Sequence, residues 1–156
     1  MAKINILFVC LGNICRSPMA EFYMKDLVAK EGLDWAFHIE SAATSREEWG
    51  NPVYPPARRE LARHGIACSG HAARQLTRED YGRFDYLIGM DSSNIRNMLR
   101  ITGGDSEGKI SRLLDHTARP GDVADPWYTG DFTATWRDVS EGCTTLLQEL
   151  RQRHGL

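Results

Sequence analysis

The sequence has no long apolar stretch, few cysteines and no excess of basic residues. Its longest purely apolar run, residues 6–11, has six residues, whereas a bilayer-spanning helix needs about 20. Four cysteines in 156 residues are too sparse for a disulfide scaffold. Nineteen basic against 21 acidic residues give a formal net charge of −2. This balance argues against a general nucleic-acid or membrane-surface binder, and we expect neither partner.

The beginning of the sequence does not resemble a secretory signal. Lys3 is the one basic residue before the first apolar segment, and Asn5 interrupts that segment. A secretory signal has a longer apolar region and a small-residue cleavage site. We therefore expect a cytoplasmic protein with free thiols, although signal-independent secretion stays compatible with the sequence.

Apolar and helical patterns alternate along the chain, which is typical of an α/β fold. The composition, 42% hydrophobic and 26% charged, suits one globular domain over residues 1–156. Ser17, Asp91 and a glycine at position 65 are expected to mark helix ends. The predicted strands are residues 4–9, 37–41, 84–90 and 110–114. Helices are predicted from residue 17 to 32, after residue 56 to about 64, after residue 91 to about 101 and after residue 131 to about 153, and a short helix is predicted to start within 77–80.

The strongest motif lies between the first predicted strand and the first predicted helix. Cys10 is followed six positions later by Arg16 and then by Ser17 and Pro18. From the residue frequencies, chance gives about 0.02 matches to Cys, Arg and Ser at this spacing. Such a loop stands where an α/β sheet places its ligands.

The residue types of this loop suit the binding of a tetrahedral oxyanion. Its backbone N–H groups can converge into an anion nest, and the following helix adds its positive end. Gly12 and Asn13 tolerate positive φ, and Arg16 can grip two oxygens with its planar fork. Because such surroundings favour thiolate over thiol, we predict that Cys10 is ionised and attacks phosphorus, with Ser17 as a hydrogen-bond donor.

Two other kinds of site do not fit these residues. A Walker loop needs Gly-Lys-Ser/Thr, whereas Gly108 and Lys109 are followed by Ile110. Cys10 and Cys15 lack a second Cys or His pair at zinc-finger spacing. We therefore expect neither a metal nor another cofactor.

The segment VCLGNICRSPMAE, residues 9–21, resembles the signature of the low-molecular-weight protein-tyrosine phosphatases. The resemblance continues through residues 41–45, 71–75, 85–91 and 125–126, in the order of the family. It implies a doubly wound, Rossmann-like or flavodoxin-like sheet of four parallel strands with helices on both faces. It also implies a metal-independent phosphatase of phosphotyrosine proteins and peptides that phosphate-like oxyanions inhibit.

The resemblance further implies roles for individual residues. Cys10 would carry the phosphoryl group, Arg16 would bind it, and Asp125 would act as general acid and base. Asn13, Ser41 and His71 would hold the loop by hydrogen bonds. The remaining loop positions would complete the phosphate-binding loop, and aromatic side chains would wall the substrate cleft: Leu11, Gly12, Asn13, Ile14, Cys15 and Ser17 in the loop, and Trp49, Trp127 and Tyr128 in the walls.

Several hypotheses stay open at this stage. Cys15 could form a protective disulfide with oxidised Cys10, or simply be a small buried side chain. Many relatives have Tyr where Trp127 stands, which can alter substrate preference. Cys68 and Cys143 are expected to be structural. The basic residues of the second helix are expected to form a solvated face or to attract an anionic phosphopeptide: Arg58, Arg59 and Arg63.

Three other functions are less well supported by the residues. A thioredoxin-coupled arsenate reductase needs two later cysteines, but residues 75–142 contain none. A non-catalytic phosphate-binding module would lack Cys10 or Asp125, and both are present. Relatives specialised for phosphoarginine usually carry Thr at the position of Ile14, so Ile14 favours phosphotyrosine.

Overall fold

The sheet has four parallel strands, as the sequence predicts. The structure, a computed structural model, describes residues 2–156, so only Met1 of the predicted domain lies outside it. The strand order is β2-β1-β3-β4 and all neighbouring pairs are parallel. The strands are β1 Ile4–Cys10, β2 Phe37–Ala43, β3 Tyr86–Gly89 and β4 Ile110–Arg112.

Helices cover both faces of this sheet because successive side chains of a strand point to opposite sides. Ile6 and Phe8 of β1 join a core cluster with α1, α2 and α6, whereas Leu7 and Val9 join a second cluster with α4. This doubly wound arrangement explains the uninterrupted apolar run of β1. The helices are α1 Arg16–Lys30, α2 Pro55–Arg63, α3 Asp80–Arg83, α4 Ser92–Thr102, α5 Pro126–Thr129 and α6 Phe132–His154, with 3-10 turns at Asp34–Ala36 and Leu113–His116.

The order of the strands determines where a ligand can bind. The chain leaves β1 towards β2 on one side and later returns to β3 on the other. Connections on opposite sides open a crevice at the carboxyl ends of β1 and β3. The loop after Cys10 starts at this crevice.

Three local predictions were wrong. Helix α1 begins at Arg16 with Cys15 as its N-cap, and Ser17 is no cap because its hydroxyl contacts Cys10 and Asn13 instead. Strand β4 ends at Arg112, because the next residues bury their side chains in a 3-10 turn. The segment predicted as loop up to residue 131 contains α5, whose N-cap is Asp125.

The predicted cap of α4 is confirmed. The Asp91 side chain accepts a hydrogen bond from the Asn94 N–H, and Asn94 Oδ1 accepts one from the Asp91 N–H. Among residues 2–156, no helix has the length and apolar character required to cross a bilayer.

Candidate active site

The loop from Cys10 to Arg16 is held by backbone hydrogen bonds from neighbouring segments. Thr44 N–H donates to the Cys10 carbonyl at 2.9 Å, and Ser45 N–H donates to the Leu11 carbonyl at 3.1 Å. Tyr54 N–H donates to the Ile14 carbonyl at 2.9 Å. The carbonyl groups therefore face the surrounding protein. Of the N–H groups of residues 11–15, only that of Asn13 has an acceptor within residues 2–156, namely Cys10 Sγ at 3.3 Å.

Asn13 organises the interior of the loop. It is fully buried and has a φ of 60°, a conformation that Asn tolerates better than most residues. Its Oδ1 accepts from the backbone N–H of Arg74 at 3.2 Å. Its Nδ2 therefore faces Ser17 Oγ at 2.8 Å and Ser41 Oγ at 2.9 Å. Of the two loop residues that tolerate positive φ, Asn13 adopts it and Gly12 does not.

These contacts fix the direction of the hydroxyl protons. Ser17 Oγ accepts from Asn13 Nδ2, so its own proton is free to be donated to Cys10 Sγ, 3.0 Å away. Ser41 Oγ likewise accepts from Asn13 and donates to the buried Glu21 carboxylate at 2.5 Å. Cys10 Sγ therefore has two hydrogen-bond donors, the Ser17 hydroxyl and the Asn13 N–H.

His71 supports the same loop from the outside. Its Nε2 lies 2.8 Å from the Asn13 carbonyl oxygen. Because a carbonyl only accepts, this nitrogen carries the hydrogen. The structure thus places Ser41 and His71 against Asn13, where the resemblance implied that they would support the loop.

Arg16 is buried, with 2% of its surface exposed. Its Nη1 donates to Asp91 Oδ2 at 2.7 Å and to the Val123 carbonyl at 2.8 Å, and its Nη2 lies 3.4 Å from Asp125 Oδ2. Burial alone would lower the pKa of Arg16, but Cys10, Asp91 and Asp125 outweigh it and raise the pKa above its ordinary value. The guanidinium is therefore a fixed cation beside the cysteine.

The other cysteines are shielded from ionisation. Burial, reinforced by Cys10 and Asp125, raises the pKa of the Cys15 thiol far above its ordinary value. Burial likewise raises the pKa of Cys68 and Cys143. All four cysteines are free thiols in the structure. Cys10 is the one whose Sγ contacts the Ser17 hydroxyl and the Asn13 N–H.

A single cleft exposes these groups. Its polar floor contains Cys10, Arg16 and Asp125, and its lining also includes Leu11, Gly12, Ile14, Cys15, Glu47, Glu48, Trp127 and Tyr128. Trp127 and Tyr128 are 54% and 78% exposed, so two large aromatic faces stand beside the cysteine. Within residues 2–156, no group of three or more His, Cys, Asp or Glu side chains is placed to hold a metal ion.

Comparison with known proteins identifies the family. The family described as "Low molecular weight phosphotyrosine protein phosphatase" matches residues 5–155. The chain belongs to this family. It is 41% identical to the low molecular weight protein-tyrosine-phosphatase YfkJ of Bacillus subtilis, over 98% of this chain and 99% of that one. The human low molecular weight phosphotyrosine protein phosphatase is 37% identical over 93% of this chain and 94% of its own.

Solved structures show the same fold for this low-molecular-weight phosphatase. The crystal structure of Bacillus subtilis YfkJ superposes with a TM-score of 0.95 at 40% identity, covering 98% of both chains. The family is one of hydrolases. The fold and the family predicted from the sequence are thus both confirmed.

The structure places most predicted site residues of the phosphatase together, with one exception. Trp127 and Tyr128 line the cleft, but Trp49 does not. Trp49 is 58% exposed, and the Arg46 guanidinium lies 5.2 Å above its ring. Its glutamate neighbours Glu47 and Glu48 line the cleft instead.

Sequence reasoning missed several partners of the phosphatase loop and of Ser41. Asp91 was predicted only as a helix cap, yet it also binds Arg16. The Val123 carbonyl and the Arg74 N–H are backbone groups, for which a sequence carries no side-chain signal. Glu21 belongs to the matching segment 9–21, but nothing in the sequence indicated its bond to Ser41.

Proposed function

We propose that this chain hydrolyses phosphotyrosine in proteins and peptides, and small aryl phosphates, through a phosphocysteine on Cys10 without a metal ion. The observation that carries the proposal is the contact of Cys10 Sγ with Ser17 and Asn13 beside a buried Arg16. We assign the whole of residues 1–156 to this one catalytic domain. Because all four cysteines are free thiols, we place the activity in the reducing cytoplasm.

Binding of the phosphoryl group uses the donors that the protein leaves available. The N–H groups of residues 11, 12, 14 and 15 have no acceptor within residues 2–156 and belong to the loop that curls around Cys10. Nη1 of Arg16 is held by Asp91 and Val123, which orients the guanidinium. Its Nη2 has only a long 3.4 Å contact with Asp125. In our proposal a phosphate oxygen accepts a hydrogen bond from Nη2 in place of Asp125. Asp125 is then available to protonate the leaving group.

The first chemical step transfers the phosphoryl group to sulfur. The Cys10 thiolate attacks phosphorus, the S–P bond forms and the P–O bond to the tyrosyl oxygen breaks. Protonated Asp125 supplies the proton to that oxygen, since an aryloxide is a poor leaving group. The N–H of Trp127 donates to Asp125 Oδ1 at 3.0 Å, which leaves Oδ2 to carry the proton.

The second step regenerates the enzyme. The Asp125 carboxylate takes a proton from water, whose oxygen attacks phosphorus, and the S–P bond breaks to release inorganic phosphate and the thiolate. The donors on Cys10 Sγ stabilise the departing thiolate just as they stabilise the attacking one. One carboxyl group therefore serves both steps.

The aromatic walls support an aryl substrate. Trp127 stands beside Tyr54, with ring centroids 4.9 Å apart, so its ring is braced although half of its surface is exposed. A phenyl ring that enters the cleft would gain apolar contact with Trp127 and Tyr128. Ile14 adds an aliphatic contact in the loop itself.

The proposal is tested by substrate and inhibitor kinetics. We expect hydrolysis of p-nitrophenyl phosphate in the presence of EDTA, inhibition by phosphate-like oxyanions, and a higher kcat/KM for phosphotyrosine peptides than for matched phosphoserine and phosphoarginine peptides. Loss of activity on chelation would contradict the metal-free mechanism. A preference for phosphoarginine would contradict the substrate assignment.

A matched pair of cysteine variants tests the nucleophile. Cys10→Ser removes the sulfur from the cleft, whereas Cys68→Ser changes another buried thiol in the main core cluster. We expect the first variant to lose turnover while still binding phosphate-like oxyanions, and the second to retain turnover. Equal effects of the two substitutions would refute the assignment.

A further inference from the structure

A second groove adjoins the catalytic cleft and shares one wall with it. Ile14 and Glu48 line both cavities, and the groove continues over residues 51–55 to helix α2. Its floor is largely apolar and includes Pro52 and Tyr54. The Tyr54 ring packs against Trp127, which lines the cleft. The groove and the phosphate-binding cleft are therefore joined through Ile14 and Glu48 and through the contact between Tyr54 and Trp127.

This groove is rigidly attached to the catalytic loop. The Tyr54 N–H donates to the Ile14 carbonyl at 2.9 Å. The segment before it is fixed by reciprocal backbone bonds: Gly50 N–H donates to the Ala73 carbonyl, and Ala73 N–H donates to the Asn51 carbonyl. A chain lying in the groove would therefore keep a fixed position relative to Cys10.

The charges of the groove are separated along its length. Glu48 stands at the end that meets the cleft, with its carboxylate held by Asn51 Nδ2 at 2.6 Å. Arg58 and Arg59 stand at the far end and are both exposed. Arg63, on the same helix, forms an ion pair with Glu60, whereas neither Arg58 nor Arg59 pairs with a carboxylate within residues 2–156. Two cations on an apolar groove are thus available to an anionic partner.

We propose that this groove binds the part of the phosphopeptide substrate next to the phosphotyrosine. An apolar residue beside the phosphotyrosine would lie over Pro52 and Tyr54, away from the carboxylate of Glu48. An acidic residue further along the peptide would reach Arg58 and Arg59. The proposal rests on the proposed function, since its occupant is the substrate of that reaction.

The test compares two series of three phosphotyrosine peptides, all with an apolar residue beside the phosphotyrosine. Within each series the peptides carry Asp, Ala or Lys a few residues away, on the N-terminal side in one series and on the C-terminal side in the other. In at least one series we expect kcat/KM to rank Asp above Ala above Lys. Added KCl should reduce the differences in kcat/KM among the three peptides of that series, because salt screens exposed charge pairs.

The double variant Arg58→Gln/Arg59→Gln tests the residues themselves. We expect the ratio of kcat/KM for the Asp peptide to that for p-nitrophenyl phosphate to fall about three- to tenfold, which lies within the range for two exposed charge pairs. Arg63→Gln removes an equal charge from the same helix and should leave this ratio within about twofold. Binding of the Asp peptide to Cys10→Ser, measured by calorimetry, should weaken by the same factor when both arginines are replaced.

The outcomes separate this proposal from the proposed function. Turnover of p-nitrophenyl phosphate without discrimination among the peptides overturns the groove and leaves the catalytic assignment intact. The same holds for an equal loss in the Arg63→Gln control, or for a preference for the Lys peptides. No turnover of p-nitrophenyl phosphate or of any peptide overturns both.

Discussion

Replacing Asn13 tests how the protein holds its catalytic loop. Asn13 combines a φ of 60° with three side-chain hydrogen bonds, two buried ones to Ser17 and Ser41 and a partly buried one from the Arg74 N–H. Asn13→Gly removes the hydrogen bonds but allows the same backbone conformation without strain. Asn13→Ala removes the hydrogen bonds and adds strain. The two variants therefore separate the two contributions.

The magnitudes follow from the contacts. The Arg74 N–H loses its acceptor, and an unsatisfied buried donor costs about 1–3 kcal/mol. The two serine hydroxyls each lose a hydrogen bond worth about 1 kcal/mol. We therefore expect Asn13→Gly to lower the free energy of unfolding by about 3–5 kcal/mol. Asn13→Ala should lower the free energy of unfolding by about 1 kcal/mol more, because the left-handed backbone conformation is strained for Ala and not for Gly.

Urea denaturation at equilibrium measures both values, and kinetics with p-nitrophenyl phosphate show the effect on catalysis. Under conditions where both variants are folded, kcat should fall, because Ser17 no longer has a donor that directs its proton to Cys10. Two results would refute the reasoning. One is an Asn13→Ala protein as stable as the native one, and the other is a Gly variant less stable than the Ala variant.

Three further predictions concern other parts of the molecule. Asp125→Ala should lower kcat/KM for phosphotyrosine by about 10²–10⁴ and that for p-nitrophenyl phosphate much less, because the latter leaving group needs less help; equal losses would contradict a general acid. Treatment with mild peroxide should produce a Cys10–Cys15 disulfide, which peptide mass mapping would detect. Finding only the sulfonic acid of Cys10 would contradict this prediction. Burial raises the pKa of Asp80, but bonds from Arg74 and nearby donors outweigh it and leave the pKa below its ordinary value. Asp80→Asn should therefore lower the urea midpoint at neutral pH, with a difference that shrinks below about pH 4; a difference independent of pH would contradict this.

The sheet and the catalytic loop could be predicted because local signals coincide there. The apolar run of β1, the Cys-x5-Arg spacing and the Ser-Pro pair after it are all contiguous in the chain. Two details of the helices could not be predicted from local sequence. Ser17 is a residue type that often caps helices, but its hydroxyl hydrogen-bonds with Cys10 and Asn13 instead of capping α1. The short helix α5 is stabilised by Asp125 as its N-cap, in a segment that reads as loop.

The contacts around the site depend on tertiary structure and left little trace in the sequence. Asp91 has the pattern of a helix cap, and only the approach of β3 to β1 brings it to Arg16. The resemblance implied that Trp49 walls the cleft, but Trp49 is exposed and does not line the cleft, whereas its neighbour Glu48 does. The family resemblance located the segments that form the site, whereas the direction of each side chain could be determined only from the folded structure.

The most direct test of the mechanism is to trap the phosphoryl group on the protein. A ³²P-labelled aryl phosphate is mixed with the enzyme, the reaction is quenched within one turnover, and the labelled peptide is mapped. The mechanism predicts label on the peptide that contains Cys10 and no label in Cys10→Ser. Formation of inorganic phosphate at the native rate with no labelled protein, or with the label on another residue, would contradict it.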